Sequence, residues 1–456
     1  MALWFDMTGI WGWSLPQLTG IQRVVVSVLG ELLKLEPDVR LFRFDDPLQK
    51  LCPLDFDELP SILIRSGSFT STDSIVASAA TPGTAQQPQD FLSVAHRLGP
   101  RSVRHGINSY RQARDGLKYV LNAWMPVNPM FAERAAPTAK AARTVADPLF
   151  KSGDACISLC LTHNCRGYWR TVTANRPPDV PFLQLIHDIG EVTQPQWTPR
   201  HWDGFDGWLR DVVRHATRLS TVSRFQQTEI LRYLRSTGLP DMTVDVITLG
   251  DDPVLLNADR CAPTDRLETV LNVPFVLCVS GFNARKNHSA LYQVWRRLSV
   301  HLGEKCPRLV MVGEAPQMEL PAVSQFERDP LTKHRAVMLF DAGDDELAQL
   351  YRRCLFTVYP SFYEGWGLPV SESLAFGRYC IASSAASLPE VGGEFVDYID
   401  PFDQMEFFSK TLNAIENPDY VRARDQFIQR NYVPRSWADT AKGLMISIAK
   451  ARDDVR

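Results

Sequence analysis

The feature that most constrains this chain is an alternation of short apolar runs with amphipathic stretches, and it occurs twice. The first series holds ALWFDM (2–7), LFRFD (41–45), CISLCL (156–161), FLQLIHD (182–188), RLSTVS (218–223) and VDVITLG (244–250). Between the first two lies IQRVVVSVLGELLKL, with Ile21, Val24, Val25, Val28, Leu29 and Leu32 at helical spacing. Thr19 suits its N-cap and Pro37 its stop. The second series holds FVLCVSG (275–281), RLVMVGE (308–314), AVMLFDAG (336–343), LFTVYP (355–360) and YCIASS (379–384), again with helical stretches between. Strands alternating with helices build parallel sheets covered on both faces. The expected fold is therefore α/β, with two doubly wound, Rossmann-like sheets facing a central cleft and six β–α repeats expected in each half, although the second series holds only five such runs.

At 456 residues the chain exceeds what one core serves. Residues 251–270 lack a clear period and read as the linker. The expected division is residues 1–255, residues 256–434, and a C-terminal helix within 435–456 that packs back across the pair. Residues 46–150 read as an insertion in the first domain, and 66–90, rich in Ser, Thr, Pro and Gly, as a flexible loop.

A net charge of −3 gives no general attraction to nucleic acid. No apolar run reaches membrane-spanning length, and the N-terminus lacks the marks of a signal peptide. The nine cysteines are scattered; Cys156, Cys160 and Cys165 do not have a zinc spacing. They read as reduced and mostly buried, which places the chain in the cytoplasm. Charge is uneven, however: residues 93–151 carry ten Lys/Arg against three Asp/Glu. Within them the stretch 97–118 is expected to be either a solvated basic face or a peripheral contact with anionic lipid at the inner face of a membrane.

Ligands of open α/β sheets bind at the C-terminal ends of strands, and polar groups gather at four such places. TGIQR (19–23) puts Gly20 at a helix start, where backbone N–H groups meet an anion. IHD (186–188) puts His187 at a strand tip, as a hydrogen-bond donor, as an acid/base, or as a structural residue. SGFNARKNHSAL (280–291) sets Arg285 and Lys286 between strand and helix, a pair suited to a diphosphate. PSFYEGWGLPVSESLAFG (360–377) sets Glu364 in a turn and Glu372 inside the next helix. Carboxylates repel phosphate but accept hydrogen bonds from vicinal hydroxyls. Gly365 and Gly367 let a backbone approach a ligand, and Pro369 fits the first helical turn. Together these describe a site for a nucleotide-diphosphate sugar. The missing G-x-G-x-x-G disfavours a nicotinamide enzyme.

With these residues the chain resembles the retaining GT-B glycosyltransferases of family 4, the group 1 transferases. The resemblance rests on EGWGLPVSE with its E-x7-E spacing and on ARKN (284–287). SLPEVGG (387–393), DPFD (400–403), DDELAQLY (344–351), TVSRFQQTEI (221–230), IHD and TGIQRV support it, and it omits 46–150. It implies that Arg285 and Lys286 neutralise the donor diphosphate and the leaving group. Glu364 would hold the transferred sugar and Glu372 the ribose. Backbone amides of Gly365, Trp366, Gly367 and Leu368 would touch sugar and phosphate, with Gly20 near the diphosphate. His187 would contact the donor sugar near the reaction centre, and Glu390 would order the loop beneath the donor. Phe282 stands where some members carry a further basic residue, so Arg285 and Lys286 would hold the phosphates alone.

The resemblance further implies transfer with retention, without an enzymic nucleophile, cofactor or obligatory metal. The D-x-D at Asp55–Asp57 accordingly reads as a solvated turn. The expected enzyme moves a hexose, with GDP-mannose as the first choice of donor, to a glycan or lipid-linked acceptor of a surface polysaccharide. A sugar-nucleotide epimerase or hydrolase of the same fold, or a non-catalytic scaffold, are the alternatives.

Overall fold

The computed structural model describes residues 1–11, 20–59, 148–197, 204–251, 264–315, 321–340 and 342–455. The first sheet contains β1 (Leu3–Asp6), β2 (Val39–Asp45), β3 (Lys50–Leu54), β4 (Ala155–Ser158), β5 (Phe182–Ile186), β6 (Arg218–Thr221) and β7 (Val244–Val246), in the order β3-β2-β1-β4-β5-β6-β7. The second contains β8 (Phe275–Val279), β9 (Arg308–Val312), β10 (Ala336–Leu339), β11 (Thr357–Tyr359), β12 (Cys380–Ser383) and β13 (Val396–Ile399), in the order β10-β9-β8-β11-β12-β13. The second sheet is parallel throughout. In both, the order reverses beside the first strand, between β1 and β4 and between β8 and β11, which is where such sheets open a crevice.

The central strands are short and buried on both faces, as LWFD of β1 and ACIS of β4 are. Covering helices explain this. The helix Gly20–Leu35 turns Val24, Val25, Val28, Leu29 and Leu32 inward, and the chain leaves it just before Pro37. The six-repeat expectation for the first half needs one correction. Its sheet has a seventh, antiparallel strand: β3 folds back on β2 inside the segment read as insertion. Pro53 lies in β3 opposite Phe42 and argues against a central strand. β3 is an edge strand, where a missing N–H costs no ladder bond.

After the second sheet the helix Pro418–Asn431 leads back, and the helix Trp437–Asp454 lies against the helix Gly20–Leu35 and the first sheet. It is pinned there by Thr440 Oγ1 to the Thr248 carbonyl at 2.9 Å, Ser447 Oγ to Asp245 at 2.6 Å and Arg218 to Asp454 at 2.6 Å. Ser436 caps its start by accepting from the Asp439 N–H.

The 255/256 boundary, the 66–90 loop and the basic stretch 97–118 lie outside the described residues. Among the described residues, no helix is long and apolar enough to cross a membrane. Eight cysteines, Cys156, Cys160 and Cys165 among them, are free thiols. Burial pushes Cys278, Cys354 and Cys380 up to about 12. Asp55–Asp57 form an exposed turn after β3, with Glu58 accepting from the Asp55 N–H at 2.9 Å.

Candidate active site

Between the two sheets a cleft of about 650 Å³ is lined by Gly20, His187, Arg285, Lys286, Glu364, Gly365, Trp366, Gly367, Leu368 and Glu372. All ten residues expected at the site thus meet in one place, though they come from four chain segments.

β8 delivers the cations. After Val279 the chain passes through Ser280, Gly281 and Phe282 into a single turn, Ala284–Lys286, and then into the helix His288–Leu302. Asn287 joins the two in the left-handed region, at φ 58. Its Oδ1 accepts from the Ala290 N–H, and its Nδ2 donates to the carbonyls of Pro360 at 3.1 Å and Pro401 at 2.9 Å. One buried amide therefore ties the cation turn to the loops that follow β11 and β13. Phe282, where a cation was missing, stacks on His288 at 4.6 Å.

β11 delivers Glu364. Its Oε1 accepts from Lys286 Nζ at 2.6 Å, Ser361 Oγ at 2.6 Å and the Tyr359 hydroxyl at 2.9 Å. Burial opposes the charge on Glu364, but Lys286 and Arg285 outweigh it and hold the carboxyl below its usual range. Burial likewise draws Lys286 down, against the pull of Glu364. Glu372 sits in the helix Leu368–Ala375 and accepts from the Tyr351 hydroxyl at 2.7 Å.

The glycines of this segment serve two ends. Gly367 has φ +113, which a side chain would strain. Gly365 differs from expectation: a Cβ there would lie 2.2 Å from the His187 carbonyl oxygen. Its missing side chain makes room for the other sheet's backbone. Trp366 is buried, with the Arg435 guanidinium 5.3 Å over its ring. Leu368 faces Gly20 across the cleft, with 3.9 Å from its Cδ1 to a Cβ built on Gly20.

From the first sheet, β5 delivers His187 and Asp188. The His187 Nε2–H donates to the Leu159 carbonyl at 2.8 Å, and burial lowers its pKa. With Nε2 carrying a proton toward the Leu159 carbonyl and burial disfavouring the charged ring, Nδ1 is left as its acceptor. Asp188 pairs with Arg285 across the cleft at 2.9 Å and accepts from the Gly190 N–H at 3.0 Å. Burial works against its charge, but Arg285 wins and holds it low. Glu191 beside it goes the other way, pushed up to about 8 by burial and by the Asp188 charge. Of the two neighbouring carboxyls, Glu191 is thus the one that holds its proton more tightly.

Sequence reasoning missed Asp188, Asn287, Tyr359 and Gln226. Asp188 was within reach, as a carboxylate at a strand tip next to His187. Gln226 was not: it bonds the Tyr363 hydroxyl at 2.8 Å and the Glu364 carbonyl at 3.2 Å from the other half of the chain. Glu390 has a different place from the one expected. It reaches across to accept from the Arg224 and Phe225 N–H groups at 2.9 and 2.7 Å, at the start of the helix Arg224–Thr237. A carboxylate there satisfies two unpaired helix donors and meets the positive end of the dipole.

Residues 265–433 match the family model of the glycosyl transferases, group 1. An O-antigen chain mannosyltransferase B of Escherichia coli is 24% identical over 241 residues, 52% of this chain and 62% of that one. A serotype-specific mannosyltransferase WbdA of Escherichia coli is 27% identical over 167 residues, 37% of this chain and 20% of that one. The chain therefore spans about three-fifths of the first relative's length and a fifth of the second's. In fold it matches Anabaena HepE, solved with UDP and glucose, at TM-score 0.58, 14% identity and 99% and 100% coverage. It also matches a sucrose-phosphate synthase of Thermosynechococcus elongatus at TM-score 0.53, 14% identity and 99% and 96% coverage. The two parallel-sheet domains have the GT-B architecture of these neighbours.

Proposed function

With the group 1 match over residues 265–433 as premise, we propose that this chain is a hexosyltransferase of surface polysaccharide synthesis. It takes a hexose from a nucleotide-diphosphate sugar, GDP-mannose first, and passes it with retention to a glycan or lipid-linked acceptor. The mannosyltransferase relatives support the sugar and the pathway class. The observation that carries the reading is the pairing of both cations with acids inside the cleft: Arg285 with Asp188 and Lys286 with Glu364.

A donor exchanges these partners. Its diphosphate takes over Arg285 and Lys286, charge-assisted on both sides. Glu364, released from Lys286, accepts from hydroxyls of the sugar, and Glu372 from those of the ribose. Neutral His187 offers Nδ1 to a hydroxyl near the anomeric carbon. As the bond to the leaving phosphate breaks, negative charge grows next to two fixed cations, which is where electrostatic stabilisation acts. The acceptor hydroxyl enters on the face the phosphate leaves and gives its proton to that phosphate, so Glu364 is not a nucleophile. The chemistry needs no cofactor or metal in this scheme. Any association with a membrane rests with residues 97–118, through basic side chains.

The test is a thermal-shift screen against GDP-, UDP- and dTDP-sugars, since a bound donor raises apparent stability by mass action. GDP-mannose is expected to give the largest shift, and Glu364→Ala to lose the increment of GDP-mannose over GDP. Equal shifts from every nucleotide sugar in the wild type would overturn the donor assignment. Strict dependence of transfer on a divalent ion would overturn the metal-free scheme.

A further inference from the structure

Phe402, in the segment DPFD, has no part in the proposed transfer, yet it stands 71% exposed on a firmly held loop. Its N–H donates to Asp400 Oδ1 at 2.9 Å, and Asp403 opens the next helix by accepting from the Met405 and Glu406 N–H groups. Behind it the rings continue. Phe402 packs on Phe362 with centroids 4.9 Å apart, and Phe362 stacks on Trp197 at 4.6 Å and 6°. Trp197 comes from the first sheet's half, Phe362 from the loop after β11, and Phe402 from the loop after β13.

This row is part of the cleft's own framework. Asn287, next to Lys286, holds the Pro360 and Pro401 carbonyls, and the Phe362 N–H donates to the Arg285 carbonyl at 2.9 Å. Phe362 is two residues from Glu364. At 71% exposure the ring of Phe402 leaves most of its surface in water, so its burial contributes little to folding. Backed by two further rings, however, it is a flat apolar face fixed in orientation. Asp400 and Asp403 flank it. Carboxylates beside an aromatic face accept hydroxyl protons while the ring takes a C–H face, and they repel anionic headgroups.

We propose that Phe402, backed by Phe362 and Trp197 and flanked by Asp400 and Asp403, is a saccharide subsite that holds a pyranose ring of the acceptor glycan outside the reaction centre. Its connection to transfer rests on the function proposed above; its binding does not, and is measured without nucleotide.

The experiment titrates full-length protein with linear tetrasaccharides of mannose, glucose and galactose, followed by saturation-transfer NMR. Phe402→Ala is expected to weaken the tetrasaccharide that binds wild type roughly five- to tenfold, the size of one lost aromatic stack. Phe402→Tyr should keep binding; Phe402→Leu, apolar but not flat, should lose it. GDP and UDP affinities, measured alongside, should be the same in all four proteins, which separates this outcome from a failure of the donor site. The proposal is overturned if no tetrasaccharide binds wild type, or if Phe402→Leu binds like wild type. It is also overturned if Phe402→Ala loses only binding to phosphatidylglycerol vesicles.

Discussion

Arg285 and Lys286 stand side by side in the second half of the chain, and Glu364 and Glu372 share one turn-and-helix segment there. The first half brings Gly20, Arg23, His187 and Asp188 to the same cleft from two distant places. The second half groups the charged side chains that would meet a donor. The first supplies a neutral imidazole, a counter-charge for Arg285 and a helix start. Contacts between the halves follow this division. Arg285 reaches Asp188, Arg23 of the helix Gly20–Leu35 pairs with Asp344, and Glu390 caps the helix Arg224–Thr237. The second half thus resembles a binding unit, and the first a counterpart that orients and balances it.

The strongest way to break that comparison is to remove a cation. Lys286→Ala should lower transfer by roughly 10²- to 10³-fold, the usual cost of one transition-state charge partner. Steady-state transfer from GDP-mannose reads it, and a loss under threefold would mean that the second half does not carry the chemistry.

Asp188→Asn probes the counter-charge. Without ligand, Arg285 loses its partner, and stability should fall by about 2 kcal/mol, less than for a fully buried pair because water reaches the guanidinium. The nucleotide should then supply the missing anion, so GDP should raise the melting temperature more in the variant than in wild type. A smaller GDP shift in the variant would make Asp188 a direct ligand of the donor instead.

Glu191 sharpens the comparison through pH. Its carboxyl is held up at about 8, against an ordinary value of 4.5. A raised folded-state value favours folding below pH 4.5, and that contribution is lost as pH rises through 8. Wild type should therefore lose stability relative to Glu191→Gln as pH rises from 5 to 8. Parallel pH profiles from denaturant unfolding of the two proteins would show that the proton is not held there.

The smallest effect belongs to Glu390. Glu390→Ala should cost about 1 kcal/mol, the worth of a helix cap, with the donor-induced thermal shift unchanged. A lost donor shift would return Glu390 to the loop beneath the donor, where sequence resemblance had placed it.

How much was legible differs between the halves for a physical reason. ARKN and E-x7-E each place their groups within a turn and a helix start, so local geometry ties spacing to position. β3 was hidden by Pro53, because a proline argues against a strand unless that strand lies at an edge, and edges are settled by the assembled sheet. Gly365 reads as a place where backbone approaches a ligand; the approach of the His187 carbonyl from the other half is visible only in the assembled structure. Asn287 lay inside a recognised motif, yet its work, holding the Pro360 and Pro401 carbonyls, involves loops far along the chain.

What the sequence by itself determined is the doubly wound α/β class, from the alternation of apolar runs, and the chemical character of the site, from cations and acids at strand ends. Both follow from local periodicity and short spacing. Only the tertiary structure decided which charges face each other. The Arg285–Asp188 pair and the row of rings ending in Phe402 each join segments distant in the chain. Such contacts depend on how two sheets pack, and no local spacing encodes that.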